Sequence, residues 1–267
     1  LLQLQVTLED GREVVVRTDG SWKAATGSIL MSEIYHGETY DARLERDGWS
    51  SAGYSDAGWR EAEVIGHAKG ILVPQENVPV RKAEELRPSE LLRTPEGDTV
   101  IDMGQNMVGR VRFTVRGEEG REVELRHAEV LDKDGNFYVG NIRAAKQTIR
   151  YTKKGGEPET FEPRFTFQGF RYVKLTGFAE PIRLEDFAGV VLHSDMDRTG
   201  SFECSDPLVN QLQHNILWGL RGNFLDVPTD CPQRDERLGW TGGAQVFART
   251  SLILSITRHS SRSGLAT

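Results

Sequence analysis

Between Asp226 and Gln245 the chain reads DVPTDCPQRDERLGWTGGAQ. These residues carry four carboxylates (Asp226, Asp230, Asp235, Glu236), two guanidinium groups (Arg234, Arg237) and one indole, Trp240. Carboxylates crowded beside arginines push one another's pKa values apart, so one acid stays protonated while its neighbours ionise. An indole next to such groups presents an apolar surface to the C–H face of a sugar. Pro228 and Pro232 fix φ and remove backbone donors, which excludes regular helix and central strand. The stretch therefore reads as a stiff loop, and stiffness is what a site needs to hold its groups in place. The competing reading is a surface loop laced with ion pairs.

The elements that must position this loop follow from local patterns. Asp206-Pro207 is a helix start, with Asp as N-cap and Pro at the first helical position. Leu208, Leu212, Ile216 and Leu220 recur every four residues, with Val209 beside them, and Gly219 and Gly222 offer a terminator. A second helix is expected from about Thr241 through Val246, Phe247, Leu252 and Leu254. Upstream, residues 99 to 193 alternate with period two. Val111, Phe113 and Val115 are set against Arg110, Arg112, Thr114 and Arg116. Val123 and Leu125, Ile149 and Tyr151, Val173 and Leu175, and Val190 and Leu192 continue the theme. Turn signals separate them at Asp134-Gly135, Gly155-Gly156 and Gly177, which predicts an antiparallel sandwich. His127 and Glu129 alternate on one strand and are read as a solvent-facing pair, since no third metal ligand lies nearby. Residues 74 to 98, punctuated by Pro74, Pro79, Pro88 and Pro95, are read as a linker. Residues 1 to 80 read as strands and turns around Val14-Val15-Val16. Trp49, Tyr54 and Trp59 lie there among glycines and serines, where they either close the rim of a β-sandwich or meet a sugar.

Composition narrows the function classes. The chain has 267 residues, 37% of them hydrophobic and 27% charged, which is ordinary for a globular protein. Its net charge of -7, with no basic stripe, argues against nucleic acid as a partner. No run of eighteen apolar residues is present, so no membrane span is expected. The opening LLQLQVTLEDGREVVV is a strand pattern that starts inside a domain and is not a signal peptide, which favours the cytoplasm. Two cysteines, Cys204 and Cys231, are either free thiols or one bridge.

The run DVPTDCPQRDERLGWTG closely resembles the entry into the catalytic domain of bacterial α-L-rhamnosidases. SEIYHGETYDARLE, DMGQNMVGRVRFTVRG, RHAEVLDKDGNFY, PRFTFQGFRYVKLTG and HSDMDRTGSFECSDPLVNQLQHNILWGLRGNFLDVPTD resemble the same family, so the likeness covers about Ser21 to Thr250. It implies a mainly β chain of two β-sandwich (jelly-roll-like) domains, followed by the first helices of an incomplete (α/α)6 barrel. The implied limits are 1–80 for a partial carbohydrate-binding-like domain, 81–98 for a linker, 99–195 for a concanavalin-like sandwich and 196–267 for the start of a helical catalytic domain. It also implies hydrolysis of terminal α-L-rhamnose with inversion, no cofactor or metal, and rhamnose-containing glycosides as partners. Glu236 matches the general acid, and Asp230, Arg234, Asp235 and Trp240 match substrate-binding positions. Two departures stand out. Gly243 sits where the family pattern TGDAQ has a carboxylate. The family's general base lies far downstream in the barrel, beyond Thr267, so this chain alone is expected to be inactive. The alternative is a non-catalytic carbohydrate-binding β-sandwich. Without a barrel, the helical segment would leave its apolar stripe open to self-association.

Overall fold

Seventeen residues, Thr99–Val115, form the longest strand, and its burial alternates where the sequence alternates. Val111, Phe113 and Val115 are buried, while Arg110, Arg112 and Thr114 between them are partly exposed. The structure is a computed structural model, and it describes residues 2–66, 70 and 77–255. In chain order the strands are β1 (Gln3–Thr7), β2 (Glu13–Arg17), β3 (Lys23–Ala24), β4 (Ile29–Glu33), β5 (Gly37–Asp41) and β6 (Arg60–Glu61). Then come β7 (Val80–Leu86), β8 (Glu90–Arg93), β9 (Thr99–Val115), β10 (Glu122–Ala128), β11 (Thr148–Thr152) and β12 (Glu159–Phe161). The series ends with β13 (Gln168–Thr176), β14 (Phe187–Ser194), helix α1 (Pro207–Gly222), β15 (Phe224–Leu225), β16 (Val227–Pro228) and helix α2 (Thr241–Leu254).

The chain divides into two compact units, Leu1–Ser28 with Leu44–Gln75, and Ile29–Arg43 with Glu76–Thr267. The first holds two antiparallel ribbons, β1 with β2 and β3 with β6. Here Tyr54 meets Trp59 edge to face at 6.0 Å and Arg46 lies over Trp59 at 5.6 Å, whereas Trp49 is 61% exposed.

The second unit is built on a ten-stranded sheet in the order β4-β5-β11-β10-β13-β9-β14-β7, with β12 and β8 also pairing with β9. All its pairings are antiparallel except that of β11 with β5. One face buries Ile101, Phe113, Leu125, Ile149, Phe170 and Val173 with their neighbours. Full burial of each such side chain contributes about 1.5–3 kcal/mol. Strand β14 is buried on both faces: Val191 joins that core, while Val190 and Leu192 pack with Val108 and Leu225 on the other side. This second layer is where the helical segment rests on the sheet. Gly222, at the end of α1, comes so close to β9 that a β-carbon there would lie 2.9 Å from Val108 Cγ2.

Two expectations need correction. The stretch 81–98, read as linker, holds most of β7 together with β8, paired with β14 and β9. Pro79 and Pro88 flank these strands instead of interrupting them, and an X-Pro step favours the extended backbone a strand needs. His127 and Glu129 are not a solvent-facing pair. His127 is fully buried against Phe170, ring centroids 4.7 Å apart, and its Nδ1 lies 2.7 Å from the main-chain oxygen of Gln147. Glu129 is partly buried and accepts a hydrogen bond from Asn106 Nδ2 at 3.1 Å. Burial pushes its carboxyl pKa up, against the Asn106 hydrogen bond and the charge of Arg234. Both cysteines are free.

Helix α1 starts as its cap requires, whereas α2 follows Trp240, which makes no side-chain cap. Asp206 Oδ1 accepts from Leu208 N at 2.8 Å with Pro207 at the first position. The apolar stripe of α1 is only partly covered. Leu220 is buried with Phe224 and Leu254, and Ile216 packs against them, but Leu208 and Leu212 are 79% and 56% exposed. On α2, Phe247 turns into this small core while Val246 is 87% exposed. No helix among the described residues is long and apolar enough to cross a membrane.

Candidate active site

The acid-rich loop leaves α1 at Asn223 and enters α2 at Trp240, with a short ribbon of β15 and β16 between. Its backbone is bent sharply: Asp226, Asp230 and Arg237 all have φ between 47° and 66°. Non-glycine residues adopt that region only where surroundings over-determine it. Strand β13 supplies part of this constraint. A β-carbon on Gly169 would lie 2.9 Å from the nitrogen of Gln233 and 3.0 Å from the carbonyl carbon of Pro232. The loop backbone therefore lies directly on the strand.

Arg237 supplies more of it. It is 3% exposed, and its guanidinium donates to the main-chain oxygens of Ile34, Phe167 (2.8 Å) and Arg234 (3.1 Å), and to Gln147 Oε1 (3.4 Å). It also lies over the rings of Phe167 and Tyr35 at 4.8 and 5.6 Å. Burial pushes its pKa down to about 10. Arg237 thus ties the loop to the sheet and takes no place in the pocket described below.

Glu236 is partly buried, its side chain 19% exposed. Arg234 donates to its Oε2 from Nε at 2.9 Å and approaches it from a terminal nitrogen at 2.8 Å. Arg143, from the segment between β10 and β11, reaches the same oxygen at 3.2 Å. The Tyr35 hydroxyl donates to the main-chain oxygen of Glu236 at 2.9 Å. Arg234 is therefore placed on Glu236 and not on the pocket wall. Asp235 turns inward, and its Oδ1 is buried without a hydrogen-bond partner among the described residues.

Asp230 and Trp240 do line a pocket. It is an open cavity of about 250 Å³ bounded by Ile216, Phe224, Pro228, Ala244 and Phe247 as well. Trp240 is 48% exposed there. Gly243 also lines it, and a β-carbon at that position would lie 3.0 Å from Asp230 Oδ1. One carboxylate oxygen of Asp230, one of Glu236 and the Cys231 sulfur all lie within 4.8 Å of one another. Cation binding by this trio would require a thiolate. Burial first, then the hydrogen bond and charge of Asp230, push the Cys231 thiol up to about 11. Glu236 Oε2 is also already shared by two guanidiniums, so the trio does not fit a metal as it stands.

Tyr35, Arg143, Gln147 and Gly169 act on this loop and escaped the sequence reading. Only Tyr35 had a signal, in the aromatic and acidic cluster around SEIYHGETY. The others make contacts whose partners lie far away in sequence.

A mainly β chain bringing an acid-rich loop to an aromatic-walled pocket has the outline of a carbohydrate-cleaving class, and comparison with known proteins gives it a family. Three family models match in succession: the alpha-L-rhamnosidase N-terminal domain over 1–84, the bacterial alpha-L-rhamnosidase concanavalin-like domain over 92–193, and the bacterial alpha-L-rhamnosidase 6 hairpin glycosidase domain over 197–262. An alpha-L-rhamnosidase of Streptomyces avermitilis is 47% identical over 254 residues, which is 94% of this chain and 24% of that protein. The crystal structure of native α-L-rhamnosidase from Aspergillus terreus superposes with a TM-score of 0.92 at 43% identity, over 97% of this chain and 30% of that one. The Streptomyces avermitilis enzyme complexed with L-rhamnose gives 0.90 at 46% identity, over 97% and 25%. The chain belongs to the bacterial α-L-rhamnosidase family. It spans about a quarter of the length of the curated relatives it matches.

Proposed function

We propose that this chain is the sugar-recognising part of an inverting α-L-rhamnosidase, with Glu236 as the proton donor to the leaving oxygen. The carrying observation is that the Asp230 carboxylate lines an aromatic-walled pocket and lies within 4.8 Å of Glu236. Asp230 accepts sugar hydroxyls, Trp240 meets the apolar C5 methyl side of the ring, and Arg234 turns to the substrate as Glu236 is released to the sugar, while Asp235 stays inward, away from it. Asp230 is not the second catalytic carboxylate. An inverting pair stands roughly 6.5–9.5 Å apart so that water fits between, and Asp230 is too close. Among the described residues none lining the pocket is a second carboxylate. In this reading the base is supplied from outside the lining of this pocket, and the 267-residue chain alone is expected to turn over no substrate. In this reading α1 and α2 are the first helices of an (α/α)6 barrel, and two sandwich domains precede them. The exposed Leu208, Leu212 and Val246 mark the face that the rest of such a barrel covers and that lets the isolated chain self-associate.

Calorimetric titration with L-rhamnose tests this reading. Saturable binding that disappears in Asp230→Ala and Trp240→Ala is expected, with no hydrolysis of an aryl α-L-rhamnoside above background. Binding that survives both substitutions but vanishes in Trp49→Ala would transfer the sugar site to the first unit and leave a non-catalytic binding module. The exposure of Trp49 motivates that alternative.

A further inference from the structure

Lys153 follows strand β11 and is 4% exposed. A buried lysine is ordinarily paired with a carboxylate, because an ammonium taken from water without a counter-charge is costly. Lys153 is placed otherwise. Its Nζ donates to the main-chain oxygen of Arg116 at 3.1 Å, which uses one of three N–H donors. The same nitrogen lies 3.0 Å from a β-carbon built on Gly117, against the corner that follows β9.

That corner is one wall of a pocket of about 330 Å³, well away in sequence from the acid-rich loop. Its other walls are Val123 on β10 and the segment from Phe178 to Phe187. Three cationic side chains line it, Arg116, Lys153 and Arg183, against two carboxylates, Glu180 and Asp186. The carboxylates are already engaged. Asp186 takes Arg116 at 2.6 Å and Arg183 at 3.3 Å, and Glu180 faces Arg93 at 3.6 Å. Among the described residues no carboxylate pairs with Lys153, so its charge is the unmatched one. Phe178, Pro181 and Ile182 supply apolar surface beside it. A concave site of this size, mostly apolar with a few convergent polar groups, suits one small ring-sized ligand.

We propose that this pocket is a second ligand site, taking a monosaccharide-sized molecule that bears one carboxylate, with the Lys153 ammonium as its counter-charge. The apolar wall meets the ring and the ammonium meets the carboxylate. A neutral sugar leaves the ammonium unmatched, so the site selects uronates over neutral hexoses. It is independent of the rhamnose pocket and stands or falls without it.

The test is titration of the 267-residue chain with sodium glucuronate, with methyl glucoside as the neutral control. Saturable glucuronate binding is expected, at least tenfold tighter than methyl glucoside. It falls at least tenfold in Lys153→Met and is unchanged in Trp240→Ala. Ala179→Glu is the companion variant: its position is on the exposed rim of the pocket, so the fold tolerates it, and the added charge weakens glucuronate binding by a similar factor. Equal binding of the two sugars, no detectable binding of glucuronate, or unchanged binding in Ala179→Glu would each overturn the proposal, whether or not Lys153→Met folds.

Discussion

The Tyr35 hydroxyl donates to the main-chain oxygen of Glu236 at 2.9 Å, across 201 positions of sequence. The strand-turn segment before β5 therefore takes part in fixing the acid-bearing turn. A neutral hydrogen bond of this kind contributes about 1 kcal/mol net. Tyr35→Phe should lower the melting temperature by about 2–4 °C. It should also speed amide exchange selectively between residues 226 and 240. Uniformly faster exchange throughout the sheet would mean that Tyr35 supports the fold at large and not the turn.

Buried His127 makes stability depend on acid. Burial, opposed by its hydrogen bond to Gln147, depresses its pKa from 6.5 to about 4. Between those values the unfolded chain binds a proton that the folded chain refuses, so stability rises with pH across this window and is lost as pH falls through it. Over the whole window the loss is about 3 kcal/mol. In His127→Leu, which keeps the main-chain hydrogen bond of residue 127, this part of the slope should vanish. Denaturant unfolding at pH 4.5 and 7 reads the difference, and parallel slopes in the two proteins would refute it.

Cys231 should be a slow nucleophile. Its thiol is pushed from about 9 up to about 11, by burial and then by Asp230. Only the thiolate reacts. In a Cys204→Ser background, iodoacetamide labelling at pH 8 should be about 100-fold slower than for a free cysteine. Asp230→Asn should recover part of that factor. Labelling at the free-cysteine rate would show that the thiol is not held as the geometry requires.

Gly243→Asp gives the first turn of α2 a carboxylate. Replacing glycine inside a helix gains about 0.5–1 kcal/mol, and a negative charge near the N-terminus adds about 0.3–1 kcal/mol. The 3.0 Å approach to Asp230 Oδ1 opposes this until the exposed Asp230 side chain rotates aside. A net gain of about 0.5 kcal/mol is expected, along with tighter L-rhamnose binding from the added acceptor. Thermal unfolding with calorimetry measures both, and a destabilised variant with unchanged affinity would contradict it.

The features legible in the sequence were the local ones. Alternation exposed the buried face of β9 at Val111, Phe113 and Val115, and Asp206-Pro207 announced the start of α1, because both signals act within a few residues. The density of charge between Asp226 and Glu236 marked the loop for the same reason. What stayed hidden was which charge does what. Arg234 and Arg237 stand three positions apart in one motif. The structure sends the first to Glu236 and the second into the sheet, where Ile34, Phe167 and Gln147 converge only after folding. Arg143 and Gln147 take positive φ values in a segment whose sequence has no turn signature demanding them. The burial of His127 depends on Phe170 from the neighbouring strand, which no pattern along β10 could reveal.

Because nothing but hydrogen separates Gly169 from the peptide bond joining Pro232 and Gln233, the two segments inherit each other's mutations. Any attempt to transplant the acid-bearing turn onto a different sheet, or to exchange sheets between relatives, must carry that glycine along. An alanine there would wedge the turn outward and disarm the graft before any reacting group had been altered.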